Sequence, residues 1–586
     1  MKKVLYVFFF AITAFSISCT PKKQEAETAD SQDQKFANLE KIFLDAYWKQ
    51  YPSLSILNGY GKYYETLIIP EAATFTGNIA FSKQWLDSLS VLNFDKLTDN
   101  NKISFKIIKN QLESDVWYQS VFKSQEWDAS QYNLSGDCYY IINQPYAPLD
   151  DRLKILSARL QKADQYYTAA LHMLKVPTRE HLELSIQQNE GGLSIFGKDL
   201  TDSINVSHLT TAEKDTLHQQ VIKTVTAIHS FVDSLKLILA DKNFKFRDFR
   251  IGKEMFTEKF KYDLATDFTP EELYAKAVAD KKFYYGQMTH LADSLWTSYY
   301  PGNAKPKDTL AMVQSIIDKI SMNHSTPEKF FSTLTTQVYD LKKFIVSKDL
   351  FDFDTTYAIK VRIMPAYARG FSIASAEFTP AYQTSGETYY NIDDLTLFPK
   401  EKAEGVLKEY NTYSSQLLSI HEAIPGHCVQ GIYNNKKSPD VVRSVFQNGA
   451  MIEGWAVYTE SMMLDNGWGN FSPEITMVHD KLKLRELANV IIDYDIQCLN
   501  KPKEDIMHLL VDECFQTKAQ ADEKYHRATV SQVQLCSYYA GSSAIQALRD
   551  DYKKKLGEKY NLKAFHEKFL SYGSSPVKYI REEMLK

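Results

Sequence analysis

The chain has 586 residues and carries 22 Gly and 18 Pro, well below the roughly 7% Gly and 5% Pro of an average chain. That excludes collagen-like, low-complexity and turn-rich all-β classes and predicts long helices. A composition of 44% hydrophobic and 24% charged residues excludes global disorder, and a net charge of −5 leaves no basic footprint for nucleic acid.

The N-terminus reads as an export signal. Lys2 and Lys3 precede an apolar run from Val4 to Phe15, about twelve residues and too short to span a bilayer comfortably. Ser16-Ile17-Ser18-Cys19 follows and resembles a bacterial lipobox, with Cys19 as the lipidated residue. An ordinary signal peptide cleaved nearby is the alternative. Residues 20–34 are polar and lack aromatics, which predicts a disordered tether. The expected location is the cell envelope, lipid-anchored and facing the periplasm or the cell surface. Membrane contact is expected through the lipid alone. Five cysteines remain, Cys138, Cys428, Cys498, Cys514 and Cys536, with no CxxC pair. No disulfide framework or zinc ribbon is indicated.

Apolar stripes at helical spacing then follow in order. Phe36 to Tyr51 is the first. Asp151 to Leu174 reads as one helix, ended by Pro177, with Thr178 able to cap the next. Thr211 to Leu239 and Pro270 to Tyr299 read the same way, and Thr269-Pro270-Glu271-Glu272 is a good helix start. Residues 357–394 are the exception. Ala358 to Met364 alternates, and Thr388 to Ile392 follows several Pro and Gly, which predicts a small β element. Helical patterning returns at Lys400 and runs to the C-terminus.

The chemistry sits in Leu418-Ser-Ile-His421-Glu422-Ala-Ile-Pro425-Gly426-His427. Paired histidines with an adjacent Glu are the logic of zinc hydrolases: imidazoles hold the metal and the Glu serves as base. The usual spacing is four. Here it is six, which on a straight helix turns the second ring about 240° from the first. Pro425 removes a backbone donor and Gly426 tolerates any backbone. A kink or bulge between the histidines is therefore expected. Downstream, Glu453 and Glu460 lie seven apart on one helical face. Either can supply the third ligand, the other standing behind the first.

His421-Glu422-x-x-Pro425-Gly426-His427 followed by Glu453-Gly454-Trp455-Ala456 resembles the bacterial family numbered 885 in the domain-of-unknown-function series. The resemblance covers most of the mature chain. It includes Met364-Pro365, Thr388-Tyr389-Tyr390-Asn391, Leu484-Arg485, Asp493, Ser537-Tyr538, Gly541, Leu548-Arg549 and Phe565-His566. It implies a mainly α, cleft-containing, metallopeptidase-like fold with Zn2+, His421 and His427 as ligands, Glu422 as base and Glu453 as third ligand. One departure stands out: where the family has Pro-Gly-Gln before Ser-Tyr, this chain has Gln532-Val533-Gln534. Arg527-Ala528 likewise replaces an Arg-Tyr, so Arg527 is not carried over.

Further roles follow from chemistry. Tyr538 is a candidate donor to a developing oxyanion. Arg485 and Arg549 are candidates to pair a substrate carboxylate. Tyr390 and Asn391, on the Thr388–Ile392 strand, are candidates to bind an extended peptide by strand addition. Glu460 is expected to support the ligands from behind. Signal peptide (1–19) and tether (20–34) thus precede one large helical catalytic domain (35–586), with lobes near 35–350 and 351–586. The reading is a zinc-dependent peptidase for short peptides, of carboxypeptidase or dipeptidase type. A non-catalytic surface lipoprotein binding glycan or peptide, and a zinc hydrolase of another amide, are the alternatives.

Overall fold

Long helices carry most of the chain, as the scarcity of breakers predicts. The computed structural model describes residues 29–352, 359–365, 369, 372–383 and 386–586. The export signal, Cys19 and residues 20–28 of the expected tether lie outside these, as do residues 357, 358 and 366–368.

Helix α1 (Ala29–Gln50) begins inside the segment read as tether. Residues 29–34 are therefore helical, a correction with a clear cause. Gln32 is buried, and its side chain accepts from the Asn93 amide. Asp33 accepts from the Thr98 amide (3.0 Å) and from Asn101 (2.7 Å). These polar side chains bind a neighbouring turn instead of solvating a linker. The predicted Asp151–Leu174 helix is two helices, α2 (Leu149–Leu160) and α3 (Ala163–Met173). Lys162 leaves helical geometry (φ −114°, ψ 17°) with no Gly or Pro beside it, so no local signal marks the break. Thr178 caps α4 (Arg179–Gly192) as expected, accepting from the His181 amide. The two 30-residue helices α5 (Thr211–Ala240) and α6 (Pro270–Tyr299) both start with reciprocal Thr–Glu capping boxes.

The β element is a three-stranded sheet of β1 (Ile359–Ile363), β2 (Ala374–Glu377) and β3 (Thr388–Ile392), in the order β1-β3-β2. β3 is parallel to β1 and antiparallel to β2. It is the central strand, with neighbours on both sides, so it offers no open edge. The strand-addition role expected for Tyr390 and Asn391 is corrected accordingly. Tyr390 is buried with its hydroxyl 3.4 Å from Ser419 Oγ, and Asn391 is buried, donating to Glu377 and accepting from Arg362.

One apolar core runs from Trp117 to Met584 and joins the sheet to the C-terminal helices. A second packs α2 to α5, and a third packs α1 against neighbours that include Val442 and Tyr579. All five described cysteines are free. Among the described residues, no helix is long and apolar enough to cross a membrane.

Candidate metal centre

The histidine segment solves its spacing problem by breaking the helix outright. Helix α7 (Ser414–Glu422) stops one residue after His421, and helix α8 (His427–Lys437) starts on His427. The turn between them contains a cis Ile424–Pro425 bond and is tied back by Ile424 N–H to Ser419 O (3.1 Å) and Gly426 N–H to Ile420 O (2.9 Å). A Cβ on Gly426 would lie 1.8 Å from the His421 carbonyl oxygen, so only glycine fits the turn. The rings converge edge to face, centroids 4.8 Å apart.

Helix α9 (Gly449–Asp465) supplies the carboxylates. Glu453 Oε2 lies 3.8 Å from His421 Nε2 and 3.6 Å from His427 Nε2. Glu460 instead takes the other ring nitrogen, with His421 Nδ1 donating to Oε1 at 2.7 Å. That bond leaves Nε2 of His421 facing Glu453 and fixes the ring. Ligand atoms of His421, His427 and Glu453 all lie within 4.8 Å of one another. Zinc bound tetrahedrally at about 2.0–2.2 Å places its ligand atoms about 3.4 Å apart. The two carboxylate edges (3.6 and 3.8 Å) need a contraction of a few tenths of an ångström to hold such an ion, and the edge between the histidines, within 4.8 Å, a closure of up to about 1.4 Å. His427 Nδ1 is buried without a hydrogen bond.

Charge in this corner is tightly coupled. Burial disfavours the His421 imidazolium, but the Glu460 hydrogen bond and the charges of Glu460, Glu422 and Glu453 outweigh it and lift its pKa to about 9. Burial likewise opposes ionisation of Glu453, yet His427 at 3.6 Å and the charges of both histidines hold its carboxyl below the usual range. Glu422 points to the sheet and accepts from the Ala376 N–H at 3.2 Å. That N–H lies on the open side of β2, so the sheet edge beside the histidines is β2. Trp455 donates its indole N–H to Pro425 O (2.9 Å), gripping the turn between the histidines.

A cavity of about 240 Å3 opens beside the centre. Its wall includes His421, Glu422 and Glu460, Arg485 on α10 (Pro473–Gln497), Lys524 and Arg527 on α11 (Lys518–Val530), and Tyr538 on α12 (Ser537–Leu556). Helices α9 and α12 touch through two glycines: a Cβ on Gly541 would lie 1.7 Å from the Ala450 carbonyl oxygen. This contact holds Tyr538 beside the Glu453 helix. Burial, then the Glu453 charge, raise the Tyr538 pKa, so its phenol stays a donor.

Of the expected site residues, His421, Glu422, Glu460, Arg485 and Tyr538 line this cavity; His427 and Glu453 do not, and adjoin it through His421. Arg549 does not join them. It lies 5.6 Å from the Tyr458 ring centre and beside Asp550, so its expected role in substrate binding is corrected to a packing one. His566 stands in the same region, buried between Tyr458 OH (2.9 Å) and Leu350 O (3.1 Å). Lys524 was not singled out by the sequence, and Arg527 was set aside. Their three-residue spacing on one helix face is the signal that pairs them. The family departure at Gln532-Val533-Gln534 also has a structural mark: Val533, where the family has Gly, holds φ of +71°, a strained value for a β-branched residue.

The family described as "Bacterial protein of unknown function (DUF885)" has a model that matches residues 52–584. A solved chain described as a "putative lipoprotein of unknown function" from Shewanella oneidensis is 40% identical, with a TM-score of 0.87. The match covers 94% of this chain and 100% of that one. A "putative lipoprotein" from Colwellia psychrerythraea shares the fold at 15% identity, with a TM-score of 0.77, covering 95% of this chain and 99% of that one. No curated protein matches the chain.

Proposed function

The chain belongs to the bacterial DUF885 family, and on that premise we propose that it is a zinc-dependent peptidase acting on short peptides. One observation carries the reading: Nε2 of His421 and of His427 both face Glu453 Oε2 at 3.6–3.8 Å, while Glu460 engages the far side of His421. Two imidazoles and a carboxylate are the donor set of two-His-one-Glu zinc hydrolases. Bound zinc would supply Lewis acidity, polarising a carbonyl and acidifying water.

The chain's own residues account for the rest. Glu422, next to a ligand and in the cavity wall, takes the proton of the attacking water and passes it to the leaving amine. Tyr538 donates its phenol hydrogen to the carbonyl oxygen as negative charge develops. A cavity of about 240 Å3 suits the end of a peptide better than a folded protein. The description of relatives as lipoproteins, with the lipobox-like Ser16-Ile17-Ser18-Cys19, supports a lipid anchor on Cys19 and a place in the cell envelope.

Metal analysis of the purified full chain, with peptide-library hydrolysis by wild type and Glu422→Gln, tests the reading. We expect one zinc per chain in both proteins. Hydrolysis by Glu422→Gln should fall by about 10²–10⁴-fold, the usual worth of a general base. A zinc-free chain, or undiminished hydrolysis by Glu422→Gln, overturns it.

A further inference from the structure

The cavity wall away from the histidines holds a buried cation whose counter-ion is missing. Lys524 is only 9% exposed, yet its ammonium meets the neutral Asn489 Oδ1 and, among the described residues, no carboxylate. Arg527, one turn on and exposed at the rim of the cavity, bonds the neutral Gln534 Oε1 at 2.7 Å. Burial, then the charges of Arg485 and Arg527, push the Lys524 pKa well below its ordinary value.

The wall's carboxylates are committed elsewhere. Glu409 is shared by Lys481 and Arg485, both at 3.3 Å. Glu486 binds Lys483 at 2.9 Å and the Ser542 hydroxyl at 2.6 Å. Glu460 holds His421, and Glu422 accepts from Ala376. A buried ammonium without a counter-ion is costly, and three cations converging on one cavity favour an incoming anion. The same wall carries Tyr538, and Arg527 is close enough to act on both Tyr538 and Glu453. The anion site is therefore contiguous with the reacting centre.

We propose that Lys524, flanked by Arg485 and Arg527, binds the free C-terminal carboxylate of the substrate, making this chain a carboxypeptidase. The inference rests on the peptidase reading above. With the terminus held inside the cavity, cleavage falls near the C-terminal end. Water adds to the carbonyl carbon, the C–N bond breaks, and the amine leaves with the proton carried by Glu422. The products are a shortened peptide with a new carboxylate and a free C-terminal fragment.

The test uses the zinc-loaded full chain and N-acetylated short peptides in three forms: free acid ending in Ala, the same peptide as its amide, and an amide ending in Glu. The free acid should be cleaved at least about 100-fold faster than either amide. Lys524→Met and, separately, Arg485→Met should raise KM for the acid about tenfold or more, the worth of a charged hydrogen bond, with zinc content unchanged. Equal cleavage of acid and amide overturns the proposal while leaving the peptidase reading intact. Preferential cleavage of the Glu amide also overturns it, because the cations would then serve an acidic side chain. If no peptide is cleaved, the peptidase reading fails on its own. Calorimetric titration of the metal-free chain with N-acetyl-alanine and its amide then decides the subsite. Acid binding that weakens about tenfold in Lys524→Met supports it, and equal binding of acid and amide overturns it.

Discussion

At the corner formed by α7, α8 and α9, the charged groups are matched. Glu460 has His421, and Glu453 has the facing Nε2 atoms of both histidines. On the wall formed by α11 and α12, Lys524 and Arg527 rest on the neutral acceptors Asn489 and Gln534. Both regions border one cavity; in the second, Lys524 is buried and Arg527 is exposed at the rim. The first has the acidic, nitrogen-rich surroundings that accept a cation. The second keeps the buried Lys524 ammonium without a counter-ion, which a fold retains at a cost to stability. Matched charge in a cleft positions groups; unmatched charge marks where a ligand of opposite sign completes the site.

The largest test of this contrast removes the carboxylate between the histidines. In Glu453→Ala, zinc affinity should fall by more than about 100-fold, since a ligand is lost and not merely its support. Competition against a chromophoric chelator measures it. Lys524→Met should leave that affinity unchanged. If Lys524→Met loosens zinc as much as Glu453→Ala does, the two regions are not separable and the contrast fails.

Residues whose roles are local were legible in the sequence. Pro425 and Gly426, in a chain sparing of both, signal the break that lets His421 and His427 converge. Long capped helices such as Pro270–Tyr299 follow from Thr269 and Glu272. Roles set by remote neighbours were not legible. Ala374-Ser375-Ala376-Glu377 has no β-branched or aromatic residue, so β2 left no trace, and β3 passed for a strand with a free edge. Tyr390 and Asn391 were misplaced for that reason. Arg549 has the chemistry to bind a carboxylate but lies at Tyr458. Lys524 acquires meaning only from burial without a counter-ion, which no spacing encodes.

A smaller effect is expected behind the ligands. Glu460→Gln keeps the shape and a hydrogen-bond acceptor for His421 Nδ1 but removes the charge. Zinc affinity should drop about 10–100-fold, the range for groups that orient a ligand from behind. An unchanged affinity would mean that α9 positions His421 by packing alone, and the matched corner would shrink to three residues.

A last test concerns why the cation wall stays unmatched. Asp493 on α10 is fully buried, and Arg527 and Lys259 are near enough to favour its charge. Its Oδ2 accepts from the Cys536 thiol (3.7 Å), and its Oδ1 has no hydrogen-bond partner. Burial dominates: the carboxyl is raised from its ordinary 3.8 to about 8, despite the lowering contributions of Cys536, Lys259, the Val533 amide and Arg527. At neutral pH it is protonated and cannot serve as counter-ion to Arg527. Because the folded-state pKa lies above the unfolded one, the folded chain binds the extra proton between them. Stability from this group is complete below about pH 4 and declines as pH rises toward about 8, where the decline ends. In Asp493→Asn, the denaturant midpoint should fall less between pH 5 and 8 than in wild type. A slope identical to wild type would mean that Asp493 is ionised in the fold, and Arg527 would then already have its counter-ion.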